Sequence, residues 1–332
     1  MKKMQSLVFV ILILLVLNVS ASLLFAKAPT TPKILFTSVQ DGAYEVSIMN
    51  PDGTDQVNLT QHRANDLDAV WSPTGEQILF ISDRGGKRDL YLMDPNGSNV
   101  RRVFKRKTKI DRGDPTWSPN GKQFAYESVN FDKLEVSIHI VTLADQEEEY
   151  FVKGSYPAWS PDGTEIACSA GLQLTVINVH TREQKRHISK KVIHWQRDPS
   201  WSADGEKLVF NGNNHPVPAP DADIRLHNEW IAKQTIFMVN RDGTGLQQLL
   251  DEAGPKISYP VLSPNGDEVL YTQEIKGHLQ IFKLDVNSGI RTQLTHIGVR
   301  NLGGDWFDPA YALSVSPQPH LLTTTWGDVK KQ

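Results

Sequence analysis

Three aspartates occupy equivalent places in this 332-residue chain, because Asp68, Asp114 and Asp198 each precede a tryptophan by three residues. Carboxylates at recurring positions could act as general acids or bases, or as ligands of a cation. Aspartates near the start of a strand also accept hydrogen bonds from nearby backbone N–H groups. We expect these three residues to have capping or turn roles at the mouth of a channel.

Histidine and cysteine are the other side chains with potential for chemistry. His62, His194 and His296 fall in connections between repeated segments, and His215 and His227 lie in an insertion. A metal site needs three convergent ligands, which this spacing does not establish. We therefore predict no metal and no cofactor. Cys168 is the only cysteine, which excludes an intrachain disulfide, and its apolar neighbours in EIACSA predict a buried, unreactive thiol.

Known catalytic signatures are missing from the sequence. It contains no G-x-S-x-G elbow, Walker loop, H-E-x-x-H pair or EF-hand loop. Paired carboxylates for glycoside cleavage cannot be recognised by spacing alone. The motifs therefore favour a protein without catalytic activity, while an enzymatic role stays open.

A short motif recurs along the chain and indicates how these residues are positioned. It reads DAVWSPTG from Asp68, DPTWSPNG from Asp114, YPAWSPDG from Tyr156, DPSWSADG from Asp198 and YPVLSPNG from Tyr259. The spacing is about 42–46 residues, with one longer step of about 61, which is the size of a four-stranded propeller blade. The recurring positions are Trp71, Trp117, Trp159, Trp201, Leu262 and Trp306, and the turn glycines are Gly75, Gly121, Gly163, Gly205 and Gly266.

Each repeat predicts four short strands. The motif residue ends the first strand and is large enough to fill the gap between adjacent blades. The second and third strands, such as ILFIS from Ile78 and DLYLMD from Asp89, are apolar on both faces, as expected for sheets covered on both sides. KILFTS from Lys33 and GGDWFD from Gly303 supply the two ends of one shared blade, although ALSVSP from Ala312 competes for the same place. The prediction is an all-β, six-bladed propeller closed by its N- and C-terminal strands.

These repeats resemble the TolB-like, WD-type β-propellers of bacterial envelope proteins. The resemblance rests on [YD]-P-x-W-S-P-[DN]-G, the apolar strand that follows and the second Asp-Gly turn, and it covers about residues 33 to 309. It implies the propeller fold and a place in the cell envelope. It assigns no ligand, because the motif residues are turn and wedge residues. TolB carries an α/β domain before its propeller, whereas the first strand here is expected directly after the N-terminal segment.

Binding is expected on the face that carries the variable connections. The longest of them lies between Phe210 and Ile236, where PVPAP suggests an extended lid. Basic runs occur from Arg101 to Arg112 and from Lys185 to Arg197. The candidate binding residues on this face are Arg112, Trp195, Arg197, His227, Trp230 and Arg300. We expect a non-catalytic module that contacts a protein or glycan. The competing hypothesis is a lyase or hydrolase, metal-assisted in one version, acting on an acidic polysaccharide. A purely structural role in the cell envelope, without a discrete ligand, is a further alternative.

The N-terminus has the features of a targeting segment. Lys2 and Lys3 precede an apolar run from Leu7 to Leu17, followed by small residues up to Ala28. We predict a signal peptide at residues 1–28, with an uncleaved anchor as the alternative, a propeller at 29–315 and a tail at 316–332. The protein is then periplasmic or secreted, without a membrane span in the mature chain. The net charge of −3 argues against nucleic acid or an anionic membrane as partner, and we expect a monomer.

Overall fold

The computed structural model describes residues 27–40, 42–106, 109–251 and 257–313. The first blade holds β1 (Lys33–Gln40), β2 (Ala43–Met49) and β3 (Val57–Asn58). Blade 2 consists of β4 (Asp66–Trp71), β5 (Ile78–Ser82), β6 (Asp89–Met93) and β7 (Arg101–Arg102), and blade 3 of β8 (Asp111–Trp117), β9 (Gln123–Asn130), β10 (Glu135–Thr142) and β11 (Glu148–Lys153). Blade 4 consists of β12 (Ser155–Trp159), β13 (Glu165–Ala170), β14 (Gln173–Asn178) and β15 (Gln184–Lys185), and blade 5 of β16 (Trp195–Trp201), β17 (Lys207–Asn213), β18 (Thr235–Asn240) and β19 (Gln247–Gln248). Blade 6 consists of β20 (Ile257–Leu262), β21 (Glu268–Ile275), β22 (His278–Asp285) and β23 (Arg291–Gln293). The last strand, β24 (Asn301–Phe307), belongs to blade 1.

Six antiparallel sheets of four strands result, so the predicted six-bladed propeller is confirmed. Blade 1 combines both ends of the chain, since β24 pairs with β1 and Lys33 lies opposite Phe307. KILFTS therefore takes the second-strand place in blade 1. ALSVSP begins at the end of the described range, and most of it lies outside the described residues.

The apolar strands form the interior of the blades. All five residues of β5 and all five of β6 are buried, as expected for strands covered on both faces. The outermost strands β7 and β15 have two residues each, and both residues of β15 are exposed. Short, polar outer strands limit pairing with other chains.

The motif side chains pack between blades. Trp117 joins the cluster that contains Leu79 and Leu92 of blade 2, and Trp201 joins the cluster that contains Ala167 and Val176 of blade 4. Leu262 contacts the corresponding cluster of blade 5. Because each motif residue covers the strands of the blade before it, the ring is held together by large apolar surfaces.

The Ser-Pro-Asp-Gly turns have the predicted geometry. In blade 4 the Gly163 N–H donates to the Ser160 carbonyl at 2.9 Å, and Gly163 has a φ of 77°, a conformation that glycine adopts without strain. These turns and the turns between third and fourth strands lie on one face, named here the turn face. The connections from second to third strands and from each fourth strand to the next blade lie on the other, named the loop face.

The insertion in blade 5 contains a helix that the sequence patterns did not predict. The segment with the prolines has no regular structure, and α1 (Ile224–Ile231) follows it. Asp223 caps α1, because its side chain accepts a hydrogen bond from the Arg225 N–H at 2.7 Å. No helix within the described ranges has the length and apolarity needed to cross a membrane.

Candidate functional site

One position in every first strand faces the central channel in a left-handed conformation. The six residues are Asp68, Asp114, Tyr156, Asp198, Tyr259 and Gly303, with φ between 44° and 63°. The pairing register shifts near each of them, as at Leu67/Val70 and Arg197/Ser200, which marks a β-bulge. The bulge turns the side chains of the five residues other than Gly303 toward the channel. We call these six positions the channel ring.

Carboxylates near the ring connect one blade to the next. Asp68 accepts a hydrogen bond from the backbone N–H of Asp114, and Asp198 accepts one from that of Tyr259. Glu127 accepts one from the Tyr156 N–H at 3.3 Å. All three aspartates therefore lie within the strands at the bulges and not at the strand ends, and Asp68 and Asp198 link neighbouring blades there.

The channel ring surrounds a cavity of about 490 Å³ in which charge is poorly solvated. Burial raises the pKa of Asp68 to about 6 and that of Glu127 to about 7. Burial, together with the nearby Asp68 and Glu127 carboxylates, raises the pKa of Asp114 well above its usual range. Positive charge opposes these shifts: Arg88 lowers the pKa of Asp68, and Arg197 lowers those of Asp114 and Glu127.

Asp305 is a carboxyl group of the channel whose effect on the free energy of unfolding can be measured. Its carboxylate accepts a hydrogen bond from the Trp71 N–H at 2.7 Å, and burial raises its pKa to about 7. Between about pH 4 and pH 7 the folded chain holds one proton more than the unfolded chain, so stability falls as pH rises through this window. Asp305→Asn keeps an acceptor oxygen without the charge. Relative to wild type, the variant should gain about 2 kcal/mol in free energy of unfolding between about pH 4 and pH 8.

Urea unfolding across this pH range measures the gain, with Asp267→Asn on an exposed turn as the control. Because Asp305 is half-buried, solvent screens part of its charge, and the expected gain in free energy is smaller than a fully buried carboxylate would give. A constant difference between variant and wild type at all pH values would contradict the assignment.

A groove of about 810 Å³ opens on the loop face beside the channel. Its walls come from blades 3, 4 and 5, and they present apolar side chains that the fold leaves exposed: Leu134 is 87% exposed and Tyr150 58%. The lining also includes the cations Lys153, Arg186 and Arg197. Tyr156 lines both the groove and the channel cavity, so it marks the junction between them.

Three of the predicted binding residues meet at this junction. The Arg197 guanidinium lies 4.1 Å from the Tyr156 ring centroid and 5.7 Å from that of Trp195. It also donates to the Tyr156 hydroxyl and pairs with Asp198 at 3.1 Å. Trp195 and Trp230 contact edge to face with ring centroids 5.6 Å apart. We name Tyr156, Trp195, Arg197 and Trp230 the aromatic cluster.

The structure does not bring the other three predicted binding residues into this cluster. His227 lies on α1, with its Nδ1 3.3 Å from the Asp223 carbonyl oxygen. Arg300 is exposed and donates to the Tyr44 hydroxyl at 2.8 Å, in the connection between blades 6 and 1. Arg112 is 7% exposed and pairs with Asp89 and Glu148. Tyr156 was not among the candidates, because its motif position suggested a scaffold role.

Potential metal ligands do not cluster within the described ranges. His, Cys, Asp and Glu form no group of three or more there that could hold a metal ion. Cys168 is buried, and burial raises the pKa of its thiol to about 12. At neutral pH the thiol is therefore protonated and a poor nucleophile.

The fold and the channel define the molecule as a six-bladed β-propeller of four-stranded antiparallel blades. Residues 24–113, which include most of blade 1 and all of blade 2, match the family described as the TolB beta propeller domain. The propeller is therefore similar to the TolB beta propeller domain over this part of the chain.

Solved structures agree with this fold at low sequence identity. TolB from Acinetobacter baumannii is 18% identical with a TM-score of 0.67, over 86% of this chain and 68% of that one. A structure from Agrobacterium tumefaciens described as a TolB is 17% identical with a TM-score of 0.60, over 83% and 91%. A chain of the nidogen–laminin complex reaches 0.61 at 8% identity, over 85% and 98%. At these identities the likeness shows the fold alone.

Proposed function

We propose that this protein is an exported, non-catalytic binding module that holds an extended segment of a protein partner in the loop-face groove. The observation that carries the proposal is the exposure of large apolar side chains along the groove, next to cations and beside a preorganised aromatic cluster. Apolar side chains that do not contribute to the core contribute to association when a partner covers them. The N-terminal targeting segment supports a periplasmic or secreted location.

The aromatic cluster has the composition of a binding hot spot. Tryptophan, tyrosine and arginine are the residues that most often dominate interface energies. Trp230 is held in place because its Nε1 donates to the His215 carbonyl at 3.0 Å and its own carbonyl accepts from Asn213 at 2.7 Å. Such fixed side chains lose little conformational entropy when a partner binds. The exposed Leu134 favours an apolar peptide side chain over a sugar.

A library of short peptides displayed on phage provides the probe. We expect peptides enriched on the wild-type protein to bind about 30-fold more weakly to Trp195→Ala and to Arg197→Ala, since hot-spot truncations cost about 2 kcal/mol. Lys122→Ala, an exposed change on the turn face, is the control and should bind as wild type does. Unfolding midpoints establish that all variants are folded. Unchanged binding by both groove variants would refute the groove assignment.

The alternative is a lyase or hydrolase acting on an acidic polysaccharide. It is favoured by one observation, the carboxyl groups of Asp68 and Glu127 whose pKa values lie near neutrality. To test this alternative, the same protein is incubated with polygalacturonate in a separate assay. Release of shorter products by the wild type but not by Asp68→Asn would replace the binding proposal with the enzymatic one.

A further inference from the structure

The propeller separates charges of opposite sign onto its two faces. In the described connections of the loop face, Lys and Arg outnumber Asp and Glu; the cations are Arg63, Arg84, Lys87, Arg88, Lys105, Arg106, Lys109, Lys133, Arg186, Lys190, Lys191, Arg225, Lys233, Lys276 and Arg300. The described connections of the turn face are acidic, with Asp52, Asp55, Glu76, Asp94, Asp145, Glu147, Asp162, Glu183, Asp204, Glu206, Asp242 and Asp267. Because the charges of the two faces largely cancel, the net charge of the chain does not reveal this separation.

The two faces act on their surroundings almost independently. Strands of five to eight residues separate them in the inner part of each blade, which corresponds to about 17–26 Å. The Debye length at physiological salt is about 8 Å, so the acidic turn face is screened from anything that meets the loop face. The net charge of −3 therefore does not argue against an anionic partner on that face.

Several loop tips place an exposed aliphatic side chain directly beside a cation. The pattern occurs from the connection between blades 4 and 5 round to blade 1, in Lys191–Val192, Ile224–Arg225–Leu226, Ile275–Lys276 and Val299–Arg300. The aliphatic residues are well exposed, with Ile224 at 73%, Val299 at 55% and Val192 at 52%. Ile297 is 87% exposed in the same connection as Val299. We name these segments the cation–aliphatic tips.

Single exposed aliphatic residues are common on proteins, so exposure alone is uninformative. Here the exposed residues share one face and come from three neighbouring stretches of the ring, and all except Ile297 are next to a Lys or Arg in the sequence. A peptide fills one groove, whereas tips spread over neighbouring blades are covered together only by a broad, flat partner. Aliphatic side chains that enter the boundary between headgroups and acyl chains, with cations at the phosphates, are the features of an interfacial membrane contact.

We propose that the cation–aliphatic tips dock this protein on the surface of an anionic phospholipid bilayer. The aliphatic side chains enter the interface, and Lys191, Arg225, Lys276 and Arg300 contact the lipid phosphates. The tips occupy the part of the loop face from blade 5 to blade 1, and the groove lies on the blade 3 to blade 5 side. The two contacts share the loop face and meet at α1, which carries Arg225 of the tips and Trp230 of the aromatic cluster, but they use different side chains.

Co-sedimentation of the full chain with vesicles tests the proposal. Vesicles of equal parts phosphatidylglycerol and phosphatidylcholine should bind the wild type, and pure phosphatidylcholine vesicles should bind it far less. The triple variant K191Q, R225Q and K276Q should bind the anionic vesicles about 100-fold more weakly, because each cation near such a surface contributes about fivefold. The double variant I224S and L226S should bind them about tenfold more weakly.

The matched control carries K122Q and I290S on the turn face and should bind as wild type does; Ile290 is 65% exposed. Every variant keeps the N-terminal apolar run, so insertion of that segment cannot produce the differences. Equal binding of the wild type to both kinds of vesicle would overturn the proposal, as would wild-type affinity in the triple variant. It would also be overturned if the tip substitutions weakened binding to poly-glutamate but not to anionic vesicles, since the partner would then be an acidic protein. The vesicle experiment does not test the groove, so failure of vesicle binding leaves the peptide proposal standing.

Discussion

Arg112→Met is expected to lower the free energy of unfolding by about 3 kcal/mol or more, because it breaks a buried ion-pair network. Nη1 of Arg112 lies 2.9 Å from Asp89, whose side chain is fully buried, and Nη2 lies 3.0 Å from Glu148. The guanidinium also lies 3.9 Å from the ring centroid of Phe104. Methionine replaces the aliphatic volume but none of these contacts. Arg102 still pairs with Asp89 in the variant, which keeps the loss near the lower end of the range for buried pairs.

Chemical denaturation of the wild type, Arg112→Met and Arg300→Met measures this effect. Arg300 is exposed, so its replacement should change stability by no more than about 0.5 kcal/mol. The loss in Arg112→Met should shrink at low pH, because the His139 hydrogen bond, together with Arg112, holds the pKa of Glu148 at about 2, and protonation of Glu148 ends its ion pairs. If Arg112→Met were as stable as wild type and bound the selected peptides more weakly, Arg112 would be a binding residue as the sequence suggested.

Gly97→Ala is expected to destabilise the fold by about 2–4 kcal/mol, well beyond the effect of Gly266→Ala. Both glycines have positive φ, 81° and 77°, so both replacements strain the backbone. A Cβ at Gly97 would lie 2.3 Å from the backbone carbonyl oxygen of Leu59 in blade 1, whereas a Cβ at Gly266 meets nothing within 4 Å. Backbone cannot move aside as a flexible side chain can, so the packing of blade 2 against blade 1 must change.

Gly266→Ala thus reports the strain of the left-handed conformation alone, about 1 kcal/mol. The difference in unfolding free energy between the two alanine variants gives the cost of the contact between blades. Equal losses in both variants would mean that the close approach of Gly97 to Leu59 does not contribute to the stability of the ring.

The fold was predictable because its determinants are local. The Trp-Ser-Pro-Asp-Gly motif fixes a strand end and a turn in each repeat. Apolar runs such as ILFIS at Ile78 indicate strands that are buried on both faces. Helix α1 escaped prediction because it is short, has no buried residue and follows a proline-rich segment. The one local indication of α1 was its N-cap residue Asp223, which is weak evidence for a helix when no apolar residues follow it at helical spacing.

The candidate site was only partly predictable, since its residues converge across blades. Trp195, Arg197 and Trp230 were found because they lie in a basic run and an insertion, and the fold brings them together. Tyr156 shares a motif position with Asp68, so the sequence does not separate its scaffold role from its place at the groove. Arg112 looked like part of an exposed basic run, because Asp89 and Glu148, which bury its charge, are distant in sequence. Likewise, the separation of charge between the two faces becomes visible only when the fold shows which connections share a face.

The closure of blade 1 also determines how the molecule responds to force. The first residue of β1, Lys33, and the last residue of β24, Phe307, lie opposite each other at the same end of the antiparallel pair that these strands form. A load applied between residues 33 and 307 opens that seam one hydrogen bond at a time instead of shearing all of them together. The ring is therefore mechanically weak along this direction, even though each blade is well packed, and pulling on both ends releases blade 1 before it strains the other five.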